Sequence, residues 1–184
     1  MTPVSLSSFS PADYDKGASK LKQIVWYFVN CFFVRASWNP FQGLKLFLLK
    51  LFGAKMGKNI VIKNNVIIKS PWYLTIGDNC WIGENVWIDN IDEVTIGSDV
   101  CISQGAMLLT GNHDYTVPSM PYRNAPIVIH DGAWIGAQSV VCPGVVVDEC
   151  AILTVGSIAT KDLEAYGIYQ GNPAQKIRVR TIKE

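Results

Sequence analysis

The sequence predicts a mainly β fold, a parallel β-helix preceded by short amino-terminal helices. Aliphatic residues recur every six positions through most of residues 60–160, and a small or β-branched residue stands four positions after each of them. Gly, Asn and Asp separate the units. A helix would require a period near 3.6 and a flat strand a period of two. A period of six fits a short strand followed by a corner, with three such units in each triangular turn.

Each six-residue unit is predicted to turn its aliphatic side chain into the interior and to place its small residue where the chain bends. Gly, Asn and Asp tolerate the unusual dihedral angles that such corners require. The residues predicted to point inward are Ile62, Ile68, Ile76, Ile82, Ile88, Ile96, Ile102, Leu108, Ile129, Ile135, Val141, Val147 and Leu153.

The period is interrupted after Ile68, after Ile88 and after Leu108. When three units are stacked in each turn, all of these interruptions fall at the same corner of the triangle. The first two are short bulges, and the third is a long loop over residues 109–128. A regular solenoid with one long loop indicates that a functional site lies at that loop.

Residues 18–52 are rich in aromatic residues and Leu, and they predict helices over about 18–36 and 40–52, separated near Asn39 and Pro40. Neither helix has the roughly 20 consecutive apolar residues that a bilayer span needs. The helices either pack on the core or a neighbouring subunit, or contact a membrane surface, which their aromatic and Lys residues would suit. We therefore divide the chain into a helical segment, 1–55, and a β-helix domain with a carboxy-terminal tail, 56–184.

The composition excludes several classes of function. The 184 residues carry 16 Lys and Arg against 15 Asp and Glu, which gives no basic surplus for nucleic-acid binding. No signal peptide is predicted at the start of the sequence. The five cysteines form no Cys-x-x-Cys pair, so free thiols in a reducing cytoplasm are expected and a zinc site is not.

The long loop contains the segment GNHDY, whose His113 is a candidate general base because the pKa of histidine lies near neutrality. The alternative is an ordinary turn residue. His130 directly follows the inward Ile129 and is predicted to point outward without a catalytic role. Asp89, Asp92 and Glu93 suggest either a carboxylate pair or, as we expect, a solvated bulge. The repeat serines do not predict a nucleophile, and no phosphate-binding glycine loop occurs.

Several segments resemble the hexapeptide-repeat acyltransferases: TGNHDY, AWIGAQSVVCPGV, GSIATKD and GNPAQKI. The chain is similar to their maltose/galactoside O-acetyltransferase branch and, through CISQGAMLLTGNHDY, to the colanic-acid-biosynthesis type. The resemblance covers residues 55–180. It implies a left-handed β-helix, a homotrimer, acetyl-CoA bound between adjacent subunits, and O-acetylation of a saccharide, an exopolysaccharide precursor, without a metal.

The resemblance also implies roles for individual residues. His113 would be the catalytic base, and the backbone N–H of Ala137 would stabilise the oxyanion. Trp134 would form an aromatic wall of the site, or alternatively only pack on a coil face. The residues implied to bind acetyl-CoA are Ala137, Val155, Thr160, Lys161 and Arg178, with Lys161 as a phosphate partner or, alternatively, a solvated side chain.

The chain departs from the family pattern at two positions. Gln175 stands where the maltose and galactoside enzymes have Arg, a difference for which the neighbouring Lys176 could compensate, and Gly105 stands where they have an Asn that contacts the acceptor. The acceptor is therefore predicted to contact Ser103, Gln104, Asn112, Asp114 and Trp134. The alternatives to a polysaccharide precursor are another small acceptor, such as serine or a free oligosaccharide, and a non-catalytic β-helix scaffold.

Overall fold

The computed structural model describes residues 3–10 and 14–183. Helix α1 spans Lys20–Val29 and continues as a π-helical turn over Asn30–Val34, and helix α2 spans Gln42–Leu51. Short 3₁₀ turns lie at Leu6–Ser8 and Pro71–Tyr73. The side chain of Ser19 accepts a hydrogen bond from the Lys22 amide at 3.3 Å and so caps α1. Both helices lie within the predicted ranges.

Short strands follow the helices and form three sheets. The strands are β1 (Lys55–Met56), β2 (Val61–Ile62), β3 (Ile67–Ile68), β4 (Leu74–Ile76), β5 (Trp81–Ile82), β6 (Trp87–Asp89), β7 (Val94–Ile96), β8 (Cys101–Ile102), β9 (Met107–Leu109), β10 (Ile127–Ile129), β11 (Trp134–Ile135), β12 (Val140–Val141), β13 (Val146–Val147), β14 (Ile152–Leu153), β15 (Ile158–Ala159), β16 (Gly167–Gly171) and β17 (Ala174–Val179). The first sheet has the order β1-β4-β7-β10-β13, the second β2-β5-β8-β11-β14-β16-β17, and the third β3-β6-β9-β12-β15. All pairs are parallel except β16 with β17, which is antiparallel. The mainly β, parallel β-helix prediction is confirmed.

The repeat register is also confirmed. Ile62 pairs with Ile82, Ile82 with Ile102, and Ile102 with Ile135, so equivalent residues stack from turn to turn. Every aliphatic residue predicted to point inward is at most 2% exposed. The small residues at the bends, such as Ala106 and Ser139, are buried to the same degree. The core is therefore a continuous column of stacked aliphatic side chains.

The corners use left-handed backbone conformations, as their composition predicts. Asn59, Asn79 and Asp99 occupy equivalent corner positions with φ between 55° and 58°. Their side chains form a ladder, because Asn59 Nδ2 donates to Asn79 Oδ1, and Asn79 Nδ2 to Asp99 Oδ1, at 3.0 Å each. Asn is among the few non-glycine residues that accept this conformation readily.

All three interruptions of the period lie at the corner between the third sheet and the first, as predicted. The chain leaves β3, β6 and β9 there and returns at β4, β7 and β10. The long excursion after β9 is the loop that contains His113. Because the same corner is widened in successive turns, the loop lies against the bulge after β6: Thr110 Oγ1 donates to the Asp89 carbonyl at 2.9 Å.

The inner faces of the helices pack on the first turns of the β-helix. The side chain of Gln42 makes two hydrogen bonds to the backbone of Ile62 at the end of strand β2. Its Oε1 accepts from Ile62 N at 3.0 Å, and its Nε2 donates to Ile62 O at 2.8 Å. Lys45 is fully buried beside it, with its ammonium 2.8 Å from Asn64 Oδ1. Trp26 Nε1 donates to the Ile68 carbonyl at 3.1 Å. In the described ranges, no helix reaches the length and apolar character that a membrane crossing demands.

Candidate active site

The long loop folds back on itself and so fixes the position of His113. Asp114 N donates to the Pro121 carbonyl at 2.9 Å, and Arg123 N to the Asn112 carbonyl at 2.8 Å. Between these bonds His113 and Tyr122 form an antiparallel bridge. The loop is therefore a short hairpin rather than an irregular excursion, and its backbone hydrogen bonds hold the histidine in place.

The imidazole of His113 is held in one tautomer. Its Nδ1 lies 2.7 Å from the carbonyl oxygen of Met120. Because a carbonyl oxygen can only accept, Nδ1 must carry the hydrogen, which leaves the lone pair on Nε2. The ring stacks on Tyr122, with centroids 4.9 Å apart, and meets the edge of Phe9 at 6.0 Å. This arrangement suits a general base whose accepting atom is Nε2.

His113 lines a cavity of about 770 Å³ between α1, the two bulges and the long loop. That volume lies within the ordinary range of small-ligand pockets. Residues 14–16 close one side: the Tyr14 hydroxyl donates to the Ile91 carbonyl at 3.0 Å, and Trp72 Nε1 donates to the Lys16 carbonyl at 2.8 Å. We call this space the His113 cavity.

Polar and aromatic side chains converge on the His113 cavity. Lys69 and Asp89 form an ion pair, with the Lys69 ammonium 2.8 Å from Asp89 Oδ1. The Asp89 side chain is only 18% exposed, and the expectation of a solvated residue is wrong for it, because the long loop packs against it through Thr110 and Gly111. Asn30, Trp87 and Tyr122 also line the cavity.

Only Asn112, among the residues predicted to contact the acceptor, lines the His113 cavity. Its Oδ1 accepts a hydrogen bond from His113 N at 2.8 Å. Asp114 shapes the turn instead: hydrogen bonds from the Thr116 hydroxyl and amide lower the pKa of its carboxyl.

The other predicted acceptor residues lie on the second sheet and at the corner that follows it. Trp134 Nε1 donates to Ser103 Oγ at 2.9 Å, and Trp134 is 46% exposed. Ser103 and Gln104 line a separate groove of about 110 Å³ with Trp81. Within a single chain this groove and the His113 cavity share no lining residue.

Gly105, the departure from the family pattern, occupies a left-handed corner with φ of 67°. A Cβ atom added there would meet only Gln138 Cγ at 3.5 Å, an ordinary contact. Asn85 occupies the equivalent corner one turn earlier with φ of 59°. The backbone would therefore accept Asn at position 105, and its absence is a difference in side-chain chemistry rather than in fold.

The predicted oxyanion donor is free to bind. Among the described residues, the Ala137 amide has no hydrogen-bond acceptor, although its carbonyl accepts from Gly156 N at 2.9 Å. Val155 beside it is 69% exposed. The corners stack closely there, since a Cβ at Gly136 would lie 2.6 Å from Val155 N. The partly exposed Ala137 with its unpaired amide and the exposed Val155, which we call the Ala137 ledge, fit the predicted thioester and pantetheine contacts.

The remaining predicted acetyl-CoA residues lie in the last turns. Thr160 and Lys161 are exposed and follow β15 at the same corner as the long loop, two turns beyond it. Arg178 lies exposed in β17, opposite Ile168 of β16. His130 points outward as predicted, 53% exposed, at another corner. In the described part of the chain, no group of three or more His, Cys, Asp or Glu residues could hold a metal ion.

Residues around His113 that the sequence did not single out include Phe9, Asn30, Lys69, Met120 and Tyr122. The one available signal was Asn30, a polar residue in the otherwise hydrophobic and aromatic run of residues 24–34. The others are ordinary residues of bulges and turns, and only folding brings them to the histidine.

Comparison with known proteins agrees with these features. No family model matches the chain. The chain is 37% identical over 181 residues to a protein of Escherichia coli K12 named as a colanic acid biosynthesis acetyltransferase, WcaF, covering 97% of this chain and 98% of that one. It is 32% identical over 134 residues to the galactoside O-acetyltransferase of the same organism, covering 71% and 66% of the two chains.

A solved structure of a galactoside acetyltransferase in complex with coenzyme A superposes with a TM-score of 0.77. It is 25% identical in sequence, and the match covers 86% of this chain and 80% of that one. The near full-length relative, the six-residue repeat and the loop histidine lead to the same assignment. The chain belongs to the hexapeptide-repeat acetyltransferase family.

Proposed function

We propose that the protein is an acetyl-CoA-dependent O-acetyltransferase that acts on a hydroxyl of a saccharide, an exopolysaccharide precursor. The observation that supports this most directly is the hydrogen bond from His113 Nδ1 to the Met120 carbonyl, which leaves Nε2 as a base on the wall of a ligand-sized cavity. The WcaF relative is named for colanic acid biosynthesis, and the galactoside enzyme was solved with coenzyme A.

In the proposed mechanism His113 Nε2 takes the proton of the acceptor hydroxyl as the hydroxyl oxygen attacks the acetyl carbonyl carbon. The Ala137 N–H donates to the carbonyl oxygen as negative charge develops there. The carbon–sulfur bond then breaks, and the imidazolium returns the proton to the departing sulfur. The products are the O-acetylated saccharide and the free thiol of CoA. No step needs a metal ion.

The separation of His113 and Ala137 within one chain supports a shared site. His113 lies at the corner after the third sheet, whereas Ala137 lies at the corner after the second. We propose a homotrimer in which the long loop of one subunit, with His113, faces the Ala137 ledge of the next subunit, with acetyl-CoA between them.

A mixture of His113→Ala chains and Ala137→Pro chains, unfolded and refolded together, should regain activity, because some interfaces then carry both native residues. No recovery in mixed trimers would contradict a shared site.

The saccharide acceptor is supported by the aromatic and polar lining of the His113 cavity, which suits a hydroxyl-bearing ring. The test is CoA release from acetyl-CoA with nucleotide sugars, lipid-linked saccharides, free oligosaccharides and serine as acceptors. Saturable transfer to a saccharide is expected. Transfer to serine alone would contradict the acceptor class, and no acetyl transfer to any of them, together with no acetyl-CoA binding, would favour a scaffold.

The outer face of the helices supports peripheral contact with the cytoplasmic membrane surface through residues 18–52. The exposed apolar side chains of this face are Leu21, Ile24, Val25, Phe28, Phe32, Phe41, Phe47 and Leu51, each at least 42% exposed. No Asp or Glu occurs from residue 16 to residue 77, a stretch with ten of the 16 Lys and Arg residues. An apolar face in a segment whose charged residues are all positive complements an anionic bilayer.

Co-sedimentation with vesicles tests this contact. The protein should sediment with vesicles containing phosphatidylglycerol and not with pure phosphatidylcholine vesicles. Phe28→Glu and Phe47→Glu should abolish sedimentation, whereas Val179→Glu, an exposed position on β17, should not. If the Phe variants instead dissociate the oligomer and vesicle binding is never seen, the face is a subunit contact.

A further inference from the structure

The His113 cavity carries an excess of positive charge. Its lining contains Lys16, Arg35 and Lys69 but a single carboxylate, that of Asp89. Asp89 is paired with Lys69 at 2.8 Å. Within the described ranges neither Arg35 nor Lys16 forms an ion pair. Among the residues that the structure describes, two cations on the cavity wall therefore have no ion-pair partner.

Asn30 adds a buried polar group to the same wall. The residue is only 9% exposed, and its Nδ2 donates to the Ile68 carbonyl at 3.2 Å. Its Oδ1 is buried and has no hydrogen-bond partner. A buried acceptor without a donor is costly and uncommon in folded proteins. A ligand hydroxyl that donates to this oxygen would satisfy it.

The backbone at Asn30 has an unusual helical conformation beside the His113 cavity. The π-helical turn over Asn30–Val34 follows α1 directly and ends the helix. Such turns are rare and occur frequently at functional sites. The turn places Asn30 against the β-helix, where it bonds to Ile68, and Arg35 follows at the end of the turn; both residues line the cavity.

Aromatic rings form much of the remaining wall. Tyr27 and Trp87 are 64% and 38% exposed, and Tyr122 carries the stacked imidazole of His113. Flat apolar faces beside a few directed polar groups are typical of small-molecule pockets. Here they offer surfaces for the C–H faces of a sugar ring, while the polar groups address its substituents.

We propose that the His113 cavity binds an anionic saccharide, with Arg35 and Lys16 on its carboxylate or phosphate group and Asn30 Oδ1 accepting from one of its hydroxyls. A second hydroxyl then lies at His113 Nε2. This inference rests on the proposed acetyltransferase function and specifies its acceptor. The planar guanidinium of Arg35 can bind either anion through two parallel hydrogen bonds. A neutral sugar would leave the cations of the wall unpaired.

The test uses three matched probes: methyl β-D-glucuronide, glucose 1-phosphate and methyl β-D-glucoside. Calorimetry should show that at least one anionic probe binds about tenfold or more tightly than the neutral glucoside at low salt, and that added salt weakens the anion selectively. Binding of the glucuronide alone would assign a carboxylate, and binding of the phosphate alone a phosphate. Equal affinity for all three probes would overturn the proposal.

Two variants locate the binding. Arg35→Gln should weaken the anionic probe by about tenfold or more, since it removes charge-assisted hydrogen bonds, and should leave the glucoside unchanged. Asn30→Leu should weaken both classes of probe. Lys58→Gln, an exposed lysine outside the cavity, is the charge-matched control and should have no effect. Because Arg35 is exposed, its variant should fold even if Asn30→Leu does not.

Two further measurements separate this inference from the function on which it rests. Anion affinity should survive saturation with acetyl-CoA; if acetyl-CoA displaces the anion, the cations serve the phosphates of CoA and the proposal fails. If the glucoside is acetylated and the anionic probes are neither bound more tightly nor acetylated faster, the acetyltransferase function is supported and the proposal of an anionic acceptor is wrong. Tight anion binding without any acetyl transfer would support the site and contradict the function.

Discussion

The imidazole of His113 and the phenol ring of Tyr122 lie nearly parallel, with centroids 4.9 Å apart and planes inclined by 27°. The two residues face each other across the antiparallel bridge of the loop. Together with the bond from Nδ1 to Met120 O, this stacking sets both the tautomer and the direction of the ring. A base held in this way loses little freedom when the acceptor arrives, which is an advantage in catalysis.

His113→Ala should lower kcat for acetyl transfer by about 10²–10⁴-fold, the usual contribution of a general base. The affinity for acetyl-CoA should change little, because its proposed contacts are the Ala137 ledge and the last turns of the β-helix. Turnover at saturating acetyl-CoA and acetyl-CoA binding by calorimetry separate the two effects.

His130→Ala is the matched control for that variant. His130 is 53% exposed at a different corner, and its Nε2 lies 3.9 Å from Asp148 Oδ1. Its replacement should leave kcat within about twofold of wild type, as expected for a surface substitution. Near-wild-type turnover of His113→Ala would refute the mechanism, and inactivity of His130→Ala would move the base to the other histidine.

Tyr122 is a positioning residue, because it acts through the imidazole. Tyr122→Ala should lower kcat by about tenfold to a hundredfold, since a small misplacement of a catalytic group is costly. Tyr122→Phe keeps the ring and should restore most of the rate. Tyr115 is a 78% exposed tyrosine of the same loop, and Tyr115→Ala should leave kcat unchanged. A KM for acetyl-CoA that rises while kcat stays constant would contradict this role.

Tyr14 should make the stability depend on alkaline pH. Burial, followed by the neighbouring Tyr73, Tyr122 and Asp89, raises the pKa of its phenol well above the ordinary 10.0. Below pH 10 the phenol is neutral in both the folded and the unfolded chain. As the pH rises further, the unfolded chain ionises first, so the stabilising contribution of Tyr14 is lost.

The measurement is urea unfolding at pH 9 and at pH 11. Wild type should lose more free energy of unfolding between these values than Tyr14→Phe, which has no phenol to ionise. Tyr14→Phe should also be slightly less stable at pH 9, because it lacks the bond to the Ile91 carbonyl. Identical losses for the two proteins would mean that Tyr14 titrates normally.

The β-helix could be predicted from sequence because its cause is local and repeated. Aliphatic residues such as Ile82 and Ile102 pack in the interior in the same way in every turn. The corner residues adopt the same left-handed backbone conformation in every turn. A single six-residue register therefore predicts the whole core. His113 could be predicted as a site residue for a related reason: it stands on the one long break in that register. In both cases the signal lies along the chain.

The walls of the His113 cavity could not be predicted in the same way. Asn30 reaches the cavity through the packing of α1, Asp89 through a bulge, and Tyr122 through the return strand of the loop. Asp89 was expected to be solvated because nothing near it in the sequence shows that Thr110 and Gly111 of the long loop pack against it. A repeat register carries no information about which segment covers an outer corner.

The last prediction concerns Lys161, the proposed partner of a CoA phosphate. It is exposed at the turn after β15, and no ion pair holds it within the described residues. Lys161→Ala should weaken CoA binding by on the order of ten- to a hundredfold, the value of one charge-assisted hydrogen bond. Lys176→Ala is the control: the Lys176 ammonium is committed to Glu164 at 2.6 Å, so CoA affinity should not change. Calorimetry with CoA decides between them. Unchanged affinity in Lys161→Ala would leave that lysine as a solvated side chain, and a loss confined to Lys176→Ala would move the phosphate contact to the carboxy-terminal hairpin of β16 and β17.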